Sequence, residues 1–323
     1  MKFGNGSSAR LRGLKTGLVA TLLVVVTAAW GQYDPNFSHY FDMEPAFNPS
    51  AIGKHDMVNI GAAYAMDLAG FEHNPNTMYI GADLPFYFLN MRNGAGVQIL
   101  GDRLGLFNHQ RVAVQYALKR NLLGGELAIG VQMGFLSESF DGSKVELPDD
   151  PSDDAFSSAQ LTGSGLDMGA GIYYSHGRWY VGVSAQHLNA PLVELGETNE
   201  LQIDRTYYLT GGYNIKLRNP FITIPTSVLV RSDMVGYRAD VTARLVYNTD
   251  KKHLYIGASY SPTNSVTVLI GGTFHGVNAG YSYEMYTSAI NPGNGSHELF
   301  VGYQTDINMT KKGKNKHKSV RYL

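Results

Sequence analysis

The stretch from Glu126 to Phe135 reads ELAIGVQMGF and alternates with a period of two. Every odd position from Leu127 onward is apolar, and every even position is small or polar. Strict alternation over about ten residues is typical of a β-strand in a membrane barrel, where one face meets lipid and the other faces the lumen. The stretch therefore predicts a strand with two chemically distinct faces, long enough to cross an outer membrane.

The same period recurs along most of the chain. We identify fourteen such segments. They lie near 56–66, 76–84, 94–102, 108–119, 125–136, 164–175, 178–188, 205–215, 226–234, 237–247, 253–261, 264–274, 276–286 and 296–306. The predicted fold is all-β: a single transmembrane antiparallel β-barrel of about 12–14 strands over residues 56–306, preceded by a short non-barrel N-terminal segment.

The lengths of the predicted connections also favour a barrel over a soluble sandwich. Bacterial barrels have short periplasmic turns and longer external loops. If the N-terminus is periplasmic, the connections from odd to even strands are external, and they include the long stretches Ser137–Gly163 and Asn189–Asp204. Two predicted connections, Pro85–Asn93 and Lys216–Pro225, are long on the opposite side and do not fit this pattern.

Residues 1–31 have the organisation of a signal peptide. Arg10, Arg12 and Lys15 precede a short apolar run, Leu18 to Ala29, and small residues stand before Gln32. This pattern predicts export, with cleavage before Gln32. An exported barrel belongs in the outer membrane, in contact with its lipids, and an even number of strands would place both termini in the periplasm.

Charge is distributed unevenly along the chain. The leader carries four basic residues and the tail, residues 307–323, carries six, with no acidic residue in either. Because the whole chain has a net charge of −1, residues 32–306 carry −11. An acidic body argues against nucleic acid as a partner. The basic residues of the tail are Lys311, Lys312, Lys314, Lys316, Lys318 and Arg321.

No catalytic, cofactor-binding or metal-binding motif stands out. The chain lacks cysteine, the Gly-x-Ser-x-Gly elbow and the HExxH pair. The acidic stretch 137–163 could supply oxygen ligands for calcium, but its spacing does not match an EF-hand, and a solvated external loop is the more ordinary interpretation. A hydrolase with a Ser/His pair on neighbouring strands stays open as an alternative. We expect His176 and His187, both near strand ends, to be surface histidines.

The stretch from Gln32 to Gly53, QYDPNFSHYFDMEPAFNPSAIG, matches neither the leader nor the strands. Its three prolines prevent a continuous helix or ladder. It is nevertheless too aromatic for a solvated linker, so it should be ordered by packing. We expect it either to fold into the periplasmic mouth of the barrel and cover the lumen, which we favour, or to present Phe37, Tyr40 and Phe47 to a partner.

Taken together, the chain resembles the PorP/SprF family of outer-membrane proteins of the type IX secretion system. The resemblance covers nearly all of the chain after the leader, with further matching positions in Gly96 to Ala117, Gly169 to Leu188 and Gly280 to Tyr303. Glu284 stands where many relatives carry Asp. The residues that match the family's opening signature are Asp34, Pro35, Phe37, Ser38, Tyr40, Asn48, Pro49 and Gly53.

The resemblance implies a non-enzymatic barrel, without a cofactor, that docks or supports the apparatus exporting adhesins and proteinases, including gliding-motility cargo. It implies as partners the periplasmic ring, formed by a lipoprotein and its partner, a peptidoglycan-binding protein, and secreted adhesin cargo. Residues 32–55 would form a periplasmic signature segment, and the basic periplasmic tail would contact an acidic surface of the ring. The alternative is a FadL-like outer-membrane transporter of hydrophobic small molecules.

Overall fold

The computed structural model describes residues 34–142, 160–196, 199–249, 252–288 and 294–306. The signal peptide with its expected cleavage site, most of the acidic stretch 137–163 and the basic tail lie outside these residues.

Sixteen strands occur among the described residues, and alternation of apolar and polar side chains explains most of their boundaries. The strands are β1 (Met57–Met66), β2 (Asn76–Phe88), β3 (Met91–Leu104), β4 (Phe107–Leu122), β5 (Gly125–Asp141), β6 (Gln160–His176), β7 (Trp179–Gln186), β8 (Leu192–Leu195), β9 (Asn199–Gln202), β10 (Thr206–Lys216), β11 (Ile222–Ser232), β12 (Tyr237–Asn248), β13 (Lys252–Ser261), β14 (Ser265–Phe274), β15 (Val277–Tyr286) and β16 (Ser296–Asp306).

Fourteen of these strands form one closed antiparallel barrel. Each strand pairs with its neighbour in the sequence, β7 pairs with β10, and β1 pairs with β16 to close the sheet. The two remaining strands, β8 and β9, form a separate hairpin between β7 and β10. The prediction of a transmembrane antiparallel barrel of 12–14 strands is confirmed, at its upper limit.

The two faces of the wall differ as the alternation requires. On β4, Val112 and Val114 point outward and are 54% and 60% exposed, whereas Ala113 and Gln115 are 2% and 5% exposed inside the barrel. The exposed aliphatic and aromatic side chains thus form the lipid-facing surface, and the small or polar set lines the lumen.

The long connections all emerge at one end of the barrel. Residues 67–75, 142–159, 187–205 and 287–295 connect strands at this end, which we call the long-loop end. The first barrel strand begins and the last one ends at the opposite, short-turn end, because the number of barrel strands is even.

The two connections that were predicted to be long at the short-turn end are shorter than predicted. Strand β2 continues through Pro85 to Phe88, and the turn to β3 consists of Leu89 and Asn90 alone. The connection between β10 and β11 spans only residues 217–221, because Pro225 lies within β11. Pro85 lies beyond the last residue of β2 that pairs with β1, and Pro225 lies in a gap of the pairing between β11 and β12. Proline is tolerated in a strand at such positions, where one neighbour needs no N–H.

Three short 3-10 helices precede β1: Tyr40–Asp42, Glu44–Ala46 and Pro49–Ala51. None of the helices in the described residues is long and apolar enough to cross a membrane.

Candidate functional site

Residues 34–55, which we call the luminal segment, lie inside the barrel and contact its inner face. Proline shapes this segment locally. Pro45 and Pro49 each stand in the first turn of a 3-10 helix, where a missing N–H costs nothing. Asn48 caps the last of these helices, since its Oδ1 accepts the N–H of Ser50 at 3.0 Å. The result is a compact chain of short turns without its own core.

The aromatic side chains of the luminal segment are buried against the barrel. Phe37 packs edge to face on Tyr79, with ring centroids 6.1 Å apart. Phe47 stacks on Tyr208 at 5.5 Å. The hydroxyl of Tyr40 is 3.0 Å from the hydroxyls of both Ser227 and Thr242 on the opposite wall. All three aromatic residues named as possible partner contacts are thus buried against the inner wall of the barrel.

One cation stacks on the segment instead of pairing with a carboxylate. The guanidinium of Arg244, on β12, lies 3.5 Å from the centroid of the Phe41 ring. Arg244 and Phe41 are half-buried, and such a contact contributes about 0.5–2 kcal/mol, depending on its exposure. It attaches the first 3-10 helix to the wall formed by β12 and β13.

An ionic cluster surrounds Asp34 near the long-loop end. Its carboxylate accepts a hydrogen bond from the hydroxyl of Tyr208 at 2.6 Å and lies 3.2 Å from His187 Nε2. The other ring nitrogen of His187 is 2.8 Å from Asp167, on β6. Arg111, on β4, lies 3.8 Å from Asp34. All of these side chains are buried, so their charges interact with little screening by water.

The cluster shifts the pKa values of its two central groups in opposite directions. Burial alone would raise the pKa of Asp34, but the charges and hydrogen bonds of His187, Arg111 and Tyr208 outweigh it and hold that pKa far below its usual value. Burial alone would lower the pKa of His187, but Asp34 and Asp167 raise it to about 9. The histidine is therefore a cation that lies between two carboxylates at neutral pH.

Main-chain groups of the segment are also bound by the wall. The N–H groups of Ser38 and His39 donate to the carboxylate of Glu298, on β16, at 2.6 and 2.9 Å, and His39 Nδ1 lies 2.6 Å from the same group. Arg231, on β11, donates to the carbonyl oxygens of Asp34 and Pro35 at 2.6 and 2.8 Å. Charge-assisted bonds to the backbone fix the position of the chain whatever side chains it carries.

A row of glutamines holds the middle of the segment. Gln98 and Gln115 both donate to Oε1 of Gln132, at 2.7 and 2.9 Å, and Gln132 donates to Gln186 at 2.9 Å. Two members of this row extend the network to the segment, since Gln115 donates to the carbonyl of Pro45 and Gln186 to that of Phe47, each at 2.8 Å. The row spans β3, β4, β5 and β7 and satisfies carbonyls that the 3-10 turns leave open.

At the short-turn end, Lys54 closes the segment on itself and on β6. Its ammonium is 2.8 Å from Glu44 and 2.6 Å from the hydroxyl of Tyr173. Gly53 then turns the chain toward β1 with φ of +60°, and its N–H donates to Asp83 at 2.7 Å. A side chain at Gly53 would meet the Cα of Gly94 at 2.9 Å, so glycine is needed on both sides of this contact.

A space of about 670 Å³ opens at the short-turn end beside Arg92, Lys119 and Glu126, and two smaller cavities lie against the luminal segment. The larger of these two has a volume of about 120 Å³ and a lining that includes Asp42, Lys54, Asp83 and Tyr303. The second, about 30 Å³, lies between Asp34 and Leu229. No group of three or more His, Asp or Glu residues suited to a metal ion occurs in the described ranges.

The signature residues named from the sequence are brought together by this arrangement. Asp34, Pro35, Phe37, Ser38, Tyr40, Asn48, Pro49 and Gly53 all contact the inner wall or shape the turns that do. The basic residues of the tail lie outside the described residues.

The histidine prediction was half wrong. His176 is exposed, but His187 is 0% exposed and paired with two carboxylates. The residues that sequence reasoning missed are its partner Asp167 and the wall cations Arg111, Arg231 and Arg244. Their only signal was a charged side chain at an inward-facing position of a strand.

These features define a class: an outer-membrane β-barrel whose lumen is occupied by its own N-terminal segment. The comparison with family models specifies the class further. The chain belongs to the PorP/SprF family of type IX secretion system membrane proteins, whose model matches residues 29–303. No curated protein matches the chain.

Two solved structures illustrate how far the fold is shared. A Pseudomonas aeruginosa FadL homologue is 11% identical, with 80% of this chain and 92% of that chain covered and a TM-score of 0.50. The P. putida toluene transporter TodX is 9% identical, with 80% and 92% covered and a TM-score of 0.43. At such identities the likeness to the FadL homologue shows a common barrel fold and nothing further.

Proposed function

We propose that this protein is a docking or supporting barrel of the type IX export apparatus, not a conduit. The observation that carries the proposal is the occupied lumen: the luminal segment is bound through side chains and main chain by strands from β2 to β16. Membership in a secretion-system barrel family, which is not an enzyme family, supports a role without catalysis. Its partners would be other components of the apparatus, with the periplasmic ring, a peptidoglycan-binding protein and adhesin cargo as candidates.

Deletion of the gene tests this role directly. We expect loss of the cargo adhesins and proteinases from the culture medium, with uptake of hydrophobic small molecules unchanged. The FadL-like alternative predicts that uptake falls and secretion is unchanged. It also requires the luminal segment to move aside and widen the 120 Å³ cavity. Quantitative proteomics of the medium and an uptake assay on the same strain separate the two. An unchanged secretome would reject the proposal.

We further propose that the short-turn end, where β1 begins and β16 ends, faces the periplasm. The grouping of long connections at the other end supports this orientation. Since the chain has no cysteine, a Lys314→Cys variant carries a single thiol in the tail. We expect an impermeant maleimide to label it in permeabilised cells and not in intact ones. Glu72→Cys, in an exposed residue of the connection 67–75, should be labelled in both. Labelling of the tail in intact cells would reverse the orientation.

A further inference from the structure

The wall of the barrel is incomplete between β6 and β7 at the long-loop end. Strand β6 pairs with β5 over its whole length, from Gln160 to Ser175. Strand β7 is much shorter, and it pairs with β6 only from Ala170 to His176. The first ten residues of β6 thus have no strand beside them on the β7 side, and β6 is a sheet edge there.

The lower part of this edge is capped by the chain that leaves β7. The N–H of Leu188 donates to the carbonyl of Met168 at 2.9 Å. The side chain of Asn189 then forms the hydrogen bonds that a neighbouring strand would form. Its Oδ1 accepts the Met168 N–H at 3.1 Å, and its Nδ2 donates to the carbonyl of Leu166 at 2.6 Å. At Ala190, with φ of +44°, the chain turns inward and abandons the edge.

The upper part of the edge has no partner strand within the described ranges. In an antiparallel strand, every second residue directs its N–H and C=O to the same neighbour. Met168 directs its N–H and its C=O toward the β7 side. The N–H and C=O groups of Thr162 and Ser164 therefore point to that side too, as does the N–H of Leu166. No strand or backbone partner for these groups exists among the described residues. Thr162 and Ser164 are both exposed.

The hairpin of β8 and β9 supports the edge from inside and gives it a negative charge. Val193 packs on Leu136 in the lumen, and the main chain of Glu194 contacts Gly163, where any side chain would collide with it. Glu194 is paired directly with Glu200 across the hairpin, and both are exposed. Like charges placed opposite each other destabilise a ladder. Neither glutamate forms an ion pair with a cation in the described part of the chain.

We propose that this edge is a docking site for an extended, positively charged segment of a partner protein, which adds a strand to β6 at Thr162–Leu166. Main-chain hydrogen bonds to an exposed edge supply affinity, and alternate side chains supply selectivity, in this mode of recognition. The two opposed glutamates select lysine or arginine in the incoming strand. An exposed edge is otherwise a liability for aggregation, which proteins usually cover or blunt with charge. The edge is present whichever way the barrel is oriented in the membrane. Only its position outside the cell rests on the proposed orientation.

The test uses the full-length protein in nanodiscs and two synthetic octapeptides that alternate Val with Lys or Val with Glu. Hydrogen exchange is measured at the amides of Thr162, Ser164 and Leu166. We expect the Val-Lys peptide at about 1 mM to slow exchange at these amides at least tenfold, and the Val-Glu peptide to leave it unchanged. Tenfold protection at 1 mM peptide requires about 90% occupancy, and so corresponds to a Kd of about 0.1 mM or below.

Two variants at one position provide the matched control. Ser164→Pro removes an N–H on the open side, where proline is tolerated, and leaves pairing with β5 intact. Ser164→Ala keeps that N–H. We expect the proline variant to lose the protection at Thr162 and Leu166 and the alanine variant to retain it. Absence of protection, equal protection by both peptides, or protection that survives Ser164→Pro would each overturn the proposal. None of these outcomes bears on secretion, which the gene deletion tests separately.

Discussion

Replacement of Asp34 by alanine is expected to release the luminal segment while the barrel stays folded. The carboxylate is 4% exposed and balances the buried charges of His187 and Arg111. Removal of one partner from a buried ionic group costs about 3–5 kcal/mol, because the remaining charges are left uncompensated. That cost falls on docking of the segment, since Asp34 makes no contribution to pairing between the barrel strands.

A single thiol reports this release. In a Ser38→Cys background the reporter lies beside Glu298, which binds the main-chain N–H of residue 38 and not its side chain. We expect Asp34→Ala to accelerate maleimide labelling in detergent by about 150- to 5,000-fold, which is the fold-change equivalent of about 3–5 kcal/mol. Asp34→Asn should show a smaller effect, because its amide oxygen still accepts the Tyr208 hydroxyl.

The matched control is Asp56→Ala. Asp56 also pairs with an arginine, Arg92, but its side chain is 70% exposed, and exposed pairs contribute about 0–1 kcal/mol. Its removal should leave the labelling rate within a few-fold of the parent. If Asp34→Ala labels no faster than Asp56→Ala, the ionic cluster does not hold the segment.

The same reporter should respond to pH in the parent and less in the variant. The pKa of His187 is raised from 6.5 to about 9, so its stabilising contribution is complete below about pH 6.5 and disappears as the pH rises through 9. The pKa of Asp34 is lowered from 3.8, so its contribution is complete above that value and is lost as the pH falls through the lower one. Labelling, normalised to the exposed Glu72→Cys thiol, should therefore be slowest near pH 5–6.

The period of two predicted the barrel strands and their two faces well, but it did not predict which residues contact one another inside the lumen. Alternation specifies which residues share a face, and on β5 it correctly separated Leu127 and Ile129 from Ala128 and Gly130. It does not specify which strand lies opposite. Asp34 and His187 are 153 positions apart, and only closure of the barrel brings them together. The histidine was misjudged because it follows the last residue of β7, where the chain turns inward instead of into solvent.

The hairpin of β8 and β9 was missed for a related reason. Its strands contain four residues each and lie in a connection that strand counting treats as a loop. Four residues do not distinguish a strand from an irregular segment by period alone. The opening stretch, in contrast, was recognised as ordered because Phe37, Tyr40 and Phe47 have no place in a solvated linker. Its partners still required the folded barrel.

Gly130→Val should displace the luminal segment by steric conflict alone, without any change of charge. Gly130, on the inner face of β5, contacts the main chain of Pro49 and Ser50 so closely that a Cβ would overlap with both. Valine favours β-strands, so β5 itself tolerates the substitution. Overpacking of a well-packed contact costs about 1–3 kcal/mol, and here both partners are backbone with little room to move. We expect labelling of the Ser38→Cys reporter to rise on the order of tenfold to hundredfold.

Gly101→Val is the matched control, because Gly101 lies on the outward-facing side of β3, and no atom lies within 4 Å of the position that its Cβ would take. Both variants should retain the heat-modifiable mobility of a folded barrel on SDS gels. If the occupied lumen is what the export apparatus requires, secretion should fall in cells with Gly130→Val and persist with Gly101→Val. Full secretion in a strain whose reporter shows the segment released would mean that the segment's position inside the barrel serves the barrel's assembly and not the secretory role.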